Sequence, residues 1–261
     1  MNANLNCQEA IMNLDLSERR ILVTGAAQGL GLGIARRLVS AGARVAMADV
    51  APAVAERAAE SAMGSRAVAI VKDLADPDAA EVVFQAGRHE FKSFDGLVNC
   101  AGWSFHKPVA QVRLQEFDRL VAINQRAPFF LSQKFAAQLT DSDRDPCIIN
   151  IASVNAVAGN TNLVAYAGTK GALVAMTRAF AVEFAPRIRV AAISPGAVLT
   201  HFTEQMIQSG QIDPPAMMER FLIRRFTTVE EIAELVAFLF GPAAGCITGS
   251  NWMFDGGYSA Q

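Results

Sequence analysis

Ile21-Leu22-Val23-Thr24-Gly25-Ala26-Ala27-Gln28-Gly29-Leu30-Gly31 opens the stretch that decides the fold, and Arg44-Val45-Ala46-Met47-Ala48-Asp49 closes it. Residues 21–23 form a short apolar, partly β-branched run bounded by Arg20 and a glycine-bearing turn, the pattern of a strand buried on both faces. Ile34, Ala35, Leu38 and Val39 then recur at helical spacing, so a helix follows the turn with those side chains inward, and Gly42 ends it. Residues 44–49 read as a second strand that finishes on an acid. Strand, glycine turn, helix and strand make a βαβ unit. Bare backbone at Gly25, Gly29 and Gly31 lets a dinucleotide pyrophosphate come close, and the helix N-terminus attracts its negative charge. A carboxylate at Asp49 can accept hydrogen bonds from the adenosine ribose hydroxyls and would repel a 2′-phosphate. No arginine follows it, and Ala27-Gln28 add no positive charge, so the unit favours NAD over NADP.

The alternation continues outward from this unit. Helical segments are expected at 53–62, at 77–91 with Pro77 in the first turn, and at 230–240. Strands are expected at 67–71, 96–99, 147–151, 190–193 and 252–254. A long helical pattern covers 114–139 and is interrupted at Pro128, which removes a backbone donor and frees the carbonyl of Asn124. The charged cluster 141–146 reads as a solvated surface turn, and 198–225 as an irregular segment beside the substrate. The expected fold is a single-domain α/β, doubly wound parallel sheet of about seven strands with helices on both faces. Residues 1–17 read as a polar arm and 18–261 as one dinucleotide-binding catalytic domain. In such sheets ligands bind outside the carboxyl ends of the strands, which is where Gly25, Asp49, Asp73, Asn99, Ser153 and Pro195-Gly196 fall.

A second stretch carries chemistry. Ser153 follows an apolar run, and Tyr166 and Lys170 stand four residues apart on the next expected helix, one turn apart on one face. A free phenol titrates near about 10, and an adjacent ammonium favours its phenolate. The stretch 153–170 therefore reads as a proton-transfer device. Tyr166 and Lys170 reach Ser153 only if the intervening loop folds the helix back.

Bulk composition narrows the class. In 261 residues, 52% are hydrophobic and 18% charged, which suits a large buried core. A net charge of −2 without basic clusters argues against a nucleic-acid or anionic-membrane partner. Residues 1–17 lack the pattern of a secretory signal, and no apolar run is long enough to span a bilayer. Cys7, Cys100, Cys147 and Cys246 have no CxxC spacing and read as reduced, buried thiols of a cytoplasmic protein. Neither they nor His89, His106 and His201 have metal-ligand spacing, and no metal is expected.

From about Arg20 to Tyr258 the chain resembles the short-chain dehydrogenase/reductase family. Thr24 to Gly31 is similar to the family's Thr-Gly-x-x-x-Gly-x-Gly turn. Asn99-Cys100-Ala101-Gly102 is similar to its Asn-Asn-Ala-Gly segment, with Cys100 the one departure, expected to change packing more than chemistry. The resemblance implies catalytic roles for Asn124, Ser153, Tyr166 and Lys170. It implies NAD contacts for Gly25, Gln28, Gly29, Leu30 and Gly31, for Asp49, and for Asp73 and Leu74 beside the adenine. It implies further contacts for Asn99, Ala101 and Gly102, for Tyr166 and Lys170, and for Pro195, Gly196, Val198 and Thr200 at the nicotinamide end. Ile247-Thr248-Gly249 and Asp255-Gly256-Gly257 also match. A homotetramer, or a homodimer, is implied, with residues 173–176 and 235–240 as candidate partner faces. The implied reaction passes hydride between NAD(H) and a secondary alcohol or ketone while Tyr166 exchanges a proton with the substrate oxygen and Ser153 holds that oxygen. Lys170 would lower the Tyr166 pKa, and Asn124 would anchor a water. Candidate substrate residues are Trp103, Phe105, His106, Asn155, Asn160 and His201, a mix of aromatic faces, amides and imidazoles that suits a sugar, polyol or small cyclic alcohol. The alternatives are a 3-oxoacyl-thioester reductase, which usually takes NADPH, and a non-catalytic NAD(H)-binding redox sensor.

Overall fold

The computed structural model describes residues 14–17, 19–140, 145–210 and 212–261; most of the expected arm therefore lies outside the described residues. In chain order the elements are β1 (Arg20–Thr24), α1 (Gly29–Ser40), β2 (Arg44–Asp49), α2 (Ala53–Ala58), β3 (Ala67–Val71), α3 (Ala79–Phe91) and β4 (Gly96–Asn99). They continue as α4 (Leu114–Val121), α5 (Ala127–Gln138), β5 (Cys147–Ile151), α6 (Val164–Phe184), β6 (Arg189–Pro195), β7 (Val198–Leu199), α7 (His201–Gln208) and α8 (Pro214–Met218). β8 (Thr227–Thr228), α9 (Val229–Phe240) and β9 (Asn251–Phe254) complete the chain.

Seven strands form one sheet in the order β3-β2-β1-β4-β5-β6-β9, every pair parallel. The order reverses between β1 and β4, and the crevice at their carboxyl ends is the place such a sheet offers a ligand. Alternate residues of each strand feed two cores. Ile21, Val23, Val45, Met47 and Ile149 pack with α1 and α9 on one face. Leu22, Ala46, Leu97, Ile148 and Val190 pack with α3, α5 and α6 on the other. Burial on both faces explains why the strands read as continuous apolar runs. Ile34, Ala35, Leu38 and Val39 are the buried stripe of α1.

Several boundaries differ from expectation for local reasons. α2 stops at Ala58, and the chain turns so that Met63 enters the core. α3 starts at Ala79, not in a turn begun by Pro77, because Lys72 bridges Asp76 and Asp78 and holds the preceding turn. Between α4 and α5 the chain makes a π-turn, Ala122–Arg126, where the donor missing at Pro128 loosens the ladder. Residues 198–225 are more regular than expected, holding α7, α8 and β7, which pairs with β8 just beyond the segment. Leu16, from the end of the expected arm, is buried and hydrogen-bonds Ala41.

The charged cluster at 141–146 lies outside the described residues up to Arg144, but Asp145 corrects the expectation of simple solvation. Its carboxylate takes two hydrogen bonds from buried Arg189, at 2.8 and 2.7 Å, and one from Arg19 at 3.2 Å. Cys246 is exposed in the turn before β9, whereas Cys147 is buried and Cys100 half-buried. Asp145 has φ 44°, a conformation asparagine also tolerates. Asp145→Asn therefore isolates the charge, and is expected to cost about 1–2 kcal/mol, since Asp145 is partly exposed. Thermal denaturation checks this: a fall in Tm of several degrees is expected, and an unchanged Tm would place the pair among inert surface contacts.

Candidate active site

The glycine turn is built by close backbone approach. A Cβ on Gly31 would fall 2.1 Å from the Gly25 carbonyl oxygen, and one on Gly25 would fall 2.7 Å from the Ala101 Cα. Thr24 ties this turn to the next strand's loop, its hydroxyl accepting from the amides of Cys100 and Ala101 at 3.1 Å each. α1 begins after Gln28 without a side-chain cap, so its first amides face outward as donors.

A cavity of about 330 Å3 lies along this edge. It is lined by Gly25, Gln28, Leu30 and Gly31, by Asp49, by Asp73 and Leu74, and by Ala101, Gly102 and Trp103. Ten residues proposed from the sequence thus meet in one cleft, Trp103 having been put forward for substrate. Asp49 accepts from the Ala27 and Ala51 amides at 2.9 Å each, one bond per oxygen, which leaves lone pairs for ribose hydroxyls. Lys72 and Arg119 also line the cleft, and sequence reasoning missed both. Each is already paired, Lys72 with Asp76 and Asp78 and Arg119 with Asp73. Lys72 could have been found, because it directly follows a strand's carboxyl end; Arg119, from the middle of α4, carries no such signal. Burial pushes the Asp73 carboxyl up, but hydrogen bonds from the Ala75 amide and Arg119 outweigh it and hold it below its usual range.

Not every expected contact enters the cleft. Asn99 is buried within the sheet, donating to Asn150 at 2.8 Å. Gly196 packs under Asp255, where a Cβ would fall 2.8 Å from the Asp255 Cα, and Pro195 is buried at the end of β6. Val198 pairs with Thr227 in the small sheet. Thr200 caps α7 and lies against Gly29, its methyl 3.9 Å from where a Gly29 Cβ would be, so it does reach the rim of the glycine turn.

At the other end of the cleft α6 does fold back over β5. Lys170, buried, donates from Nζ to the Ile151 carbonyl at 2.7 Å, which sets the helix over the strand end just before Ser153. Its Nζ lies 5.8 Å from the centre of the Tyr166 ring, and a Cβ on Gly102 would be 3.6 Å from it. Asn124 is buried in the π-turn. Its Oδ1 accepts from the Trp103 amide at 2.9 Å, and its Nδ2 donates to the Trp103 carbonyl at 2.8 Å and to Thr169 Oγ1 at 3.1 Å. Thr169, not singled out from the sequence, passes that contact to the Tyr166 carbonyl at 2.8 Å. The side chain of Asn124 is thus a brace between the Trp103 loop and α6.

The electrostatics differ from the expectation that Lys170 lowers the Tyr166 pKa. Burial pushes the phenol up, the Ser153 hydroxyl acting on it as a hydrogen-bond donor draws it down, and the neighbouring Cys100 opposes ionisation. Burial brings Lys170 down to about 8 and pushes Cys100 up to about 12, so Cys100 is a neutral thiol in the cleft wall. Trp103 and Phe105 form an edge-to-face pair, centroids 5.4 Å apart, with Lys107 over Phe105 at 5.9 Å. His106 is exposed, and His201 points to solvent with Gln205 and Glu204 as its partners. Asn155 and Asn160 bond each other at 2.7 Å.

A family model described as enoyl-(acyl carrier protein) reductase matches residues 25–259. The L-xylulose reductase of Bos taurus is 35% identical over 95% of this chain and 100% of its own. Among solved structures, a glucose/ribitol-type short-chain dehydrogenase/reductase of Brucella melitensis superposes with a TM-score of 0.87 at 30% identity, covering 95% of this chain and 99% of that one. A 3-ketoacyl-(acyl-carrier-protein) reductase of the same organism, complexed with NADH, gives 0.85 at 32% identity over 94% and 100%. The chain belongs to the short-chain dehydrogenase/reductase family and is an oxidoreductase of the NAD(P)-binding type.

The depressed Lys170 value carries a stability consequence. Between pH 8 and 10.5 the folded chain holds fewer protons at this site than the unfolded one, so unfolding free energy from this group rises with pH across that window. At neutral pH the buried ammonium costs about 3 kcal/mol. Lys170→Met is expected to raise Tm by a few degrees at pH 7, and that advantage should shrink as pH climbs from 8 towards 10.5. Parallel thermal melts of parent and variant across this range read the difference; a constant gap would contradict it.

Proposed function

We propose that this chain oxidises a secondary alcohol, or reduces the matching ketone, of a sugar, polyol or small cyclic alcohol, using NAD(H) rather than NADP(H). The observation that carries the reading is the position of Lys170 Nζ against Gly102, with Tyr166 one turn away on the same helix, since Gly102 lines the cleft whose other walls hold the start of α1 and Asp49. The residues fit a dinucleotide: amide donors for a pyrophosphate, Asp49 for ribose hydroxyls, and Asp73 with Leu74 for an adenine edge. NAD(H), when bound, supplies or accepts the hydride. Two positive side chains in the cleft are already balanced by carboxylates, which speaks for NAD over a 2′-phosphorylated cofactor.

Tyr166 exchanges the proton of the substrate oxygen, and Ser153 donates a hydrogen bond to that oxygen. With its value near 8, Lys170 holds a positive charge beside the phenol at neutral pH while staying able to exchange protons. Asn124 holds the Trp103 loop against α6, so the substrate wall and the proton-transfer group keep one spacing. Trp103 and Phe105 offer an aromatic wall, and Asn155 and Asn160 a polar one. The xylulose and ribitol names among similar proteins support a polyhydroxylated substrate. The NADH-bound 3-ketoacyl reductase keeps a second reading open, a 3-oxoacyl-thioester reductase, since it shows that NAD(H) alone does not exclude that chemistry.

A homotetramer or homodimer fits the apolar surface. Leu173, Val174 and most of 235–240 are spent in the core, whereas Phe117, Phe129, Phe130 and Val182 on α4, α5 and α6 are exposed, a face suited to a second copy. A cytoplasmic location fits the free thiols at Cys100, Cys147 and Cys246. Among the described residues no helix is long and apolar enough to cross a membrane.

Tyr166→Phe is expected to cut turnover at least about a hundredfold while leaving NADH affinity nearly unchanged, as for a lost general acid–base group. Fluorescence titration and steady-state kinetics on a panel of sugars, polyols, cyclic alcohols and a 3-oxoacyl thioester measure both; a near-parental rate would refute the role. Asp49→Ala is expected to weaken NAD and narrow its advantage over NADP, read from the two values of kcat/KM. A parent protein that prefers NADP would overturn the cofactor assignment.

A further inference from the structure

The turn after β9 touches two segments that lie far apart in sequence. The Asp255 carboxylate builds this turn, accepting from the Gly257 amide at 3.0 Å, the Ser259 amide at 2.9 Å and the Ser259 hydroxyl at 2.6 Å. The turn is pressed against the segment after α8. The Ile223 amide donates to the Gly256 carbonyl at 2.9 Å, and a Cβ on Gly257 would fall 2.7 Å from Leu222. Tyr258 stands on this base, half-buried. Its ring packs on Phe221, centroids 5.1 Å apart, with the Arg220 guanidinium 4.7 Å from its centre. Its hydroxyl accepts from Arg220 and donates to Asn160 Oδ1 at 2.8 Å.

The two partners belong to different walls. Asn160 lies in the loop after Ser153, where it donates to Asn155 Oδ1 at 2.7 Å, and Asn155 donates from Nδ2 to Ser153 Oγ at 3.3 Å. Phe221 is buried against the turn after β6, where a Cβ on Gly196 would fall 3.0 Å from its ring. A third wall, the segment that carries Trp103 and Phe105, reaches the same loop, since the Lys107 amide donates to the Asn162 carbonyl at 3.0 Å. The loop is thus fastened at Asn162 by backbone and at Asn160 by the Tyr258 side chain. Between buried Val154 and Leu163 it exposes Val157 and Gly159. Hydrogen bonds more than apolar burial therefore hold its shape, and a segment of that kind opens locally at low cost.

We propose that Tyr258 is a positioning residue for substrate binding, a pin that joins the loop 155–162 to the segment after α8 so that both walls stand at one spacing before substrate arrives. This rests on the reading of the site beside Ser153 and Tyr166 as the place where an alcohol or ketone reacts. The hydroxyl holds one wall and the ring the other, so the two can be released separately. A loop that spends part of its time away from the binding geometry lowers the competent fraction. Apparent affinity falls by that fraction, while the complex, once formed, reacts as before. The cost therefore falls on KM and not on kcat. A residue that merely staples the fold would do the opposite, removing active enzyme and lowering the apparent kcat at constant KM. The dinucleotide cleft is lined by other residues, so NADH affinity is spared.

Tyr258→Phe removes the hydroxyl and keeps the ring, whereas Tyr258→Leu removes both contacts. Amide hydrogen exchange read by mass spectrometry needs no substrate and reports each wall by its own peptide. In Tyr258→Phe the peptide carrying the amides of Ala156, Val157 and Ala158, which bond to Ser153 and Val154, is expected to exchange about fivefold faster, the worth of one neutral hydrogen bond. The peptide carrying Phe221 and Ile223, and that carrying β1, keep the parent rates. In Tyr258→Leu both walls exchange faster and β1 does not. Steady-state kinetics on ribitol, L-xylulose and cyclopentanol with NAD(H) give the second readout. Tyr258→Phe is expected to raise KM about fivefold with kcat and NADH affinity within about twofold of the parent, and Tyr258→Leu to raise KM above about tenfold. In an Asn160→Ala background Tyr258→Phe is expected to add nothing to KM, because the contact is already gone. Exchange that is unchanged in the loop, or that rises equally in β1, would overturn the pin. So would a KM that holds while kcat falls, or the same rise of KM in the Asn160→Ala background. If loop exchange moves as expected but the parent turns over no alcohol or ketone, the pin stands and the proposed reaction falls.

Discussion

One buried contact organises the site: the Lys170 ammonium on the carbonyl of Ile151. An ammonium taken out of water is costly unless it finds acceptors. Here the acceptor is the last residue of a central strand. The bond therefore sets α6 across the carboxyl edge of the sheet, and through it places Tyr166 over the turn that begins at Ser153. The strand end has a carbonyl to offer because the ladder stops there. Chemistry gathers at that edge because that is where the sheet runs out of partners for its own backbone.

The same edge supplies the dinucleotide end of the cleft by a different constraint. Gly31 and Gly25 approach so closely that no side chain fits between them, and the turn leaves the start of α1 without a cap. An uncapped helix start is an unmet need of the helix itself, and an anion meets it. Asp49 sits one strand over, at the end of the cleft where the proposed function puts the ribose. The two halves are joined by Asn124, which a break in the α4–α5 ladder brings against both the Trp103 loop and Thr169. Cleft and the Tyr166–Lys170 helix thus share a frame of buried contacts through Asn124.

What could be read in advance followed from periodicity and spacing. The βαβ unit, the buried stripe of α1, the sheet of seven strands and the lining of the cleft by Gly25, Gly31, Asp49, Asp73 and Leu74 were legible, because each depends on residues near one another in sequence. The pairing of Asp145 with Arg189 was not, nor that of Arg119 with Asp73, since each joins residues that only the fold brings together. Local signals also misled. Residues 173–176 and 235–240 read as candidate partner faces, yet Leu173, Val174 and most of 235–240 are buried in the core, and the spacing of Tyr166 and Lys170 said nothing of the Ile151 carbonyl on which the Lys170 ammonium rests. Asn155 and Asn160 were legible as polar residues beside the site but not as partners of each other.

Asn99 shows how direction, and not only presence, of hydrogen bonds is set at a distance. Thr177 on α6 gives its proton to the Leu173 carbonyl, so it can only accept from Asn150 Nδ2. Asn150 must then turn its Oδ1 to Asn99, and Asn99 must answer with Nδ2. The oxygen of Asn99 is left buried without a donor as the consequence of a choice made at the helix. A buried acceptor in that state carries a cost of about 1–3 kcal/mol. The run of amides still ties β4 and β5 to α6, the helix that carries Tyr166 and Lys170. The sheet beneath the site thus accepts a local loss at Asn99 in return for a fixed relation between strand ends and that helix, the relation on which the proposed proton transfer depends.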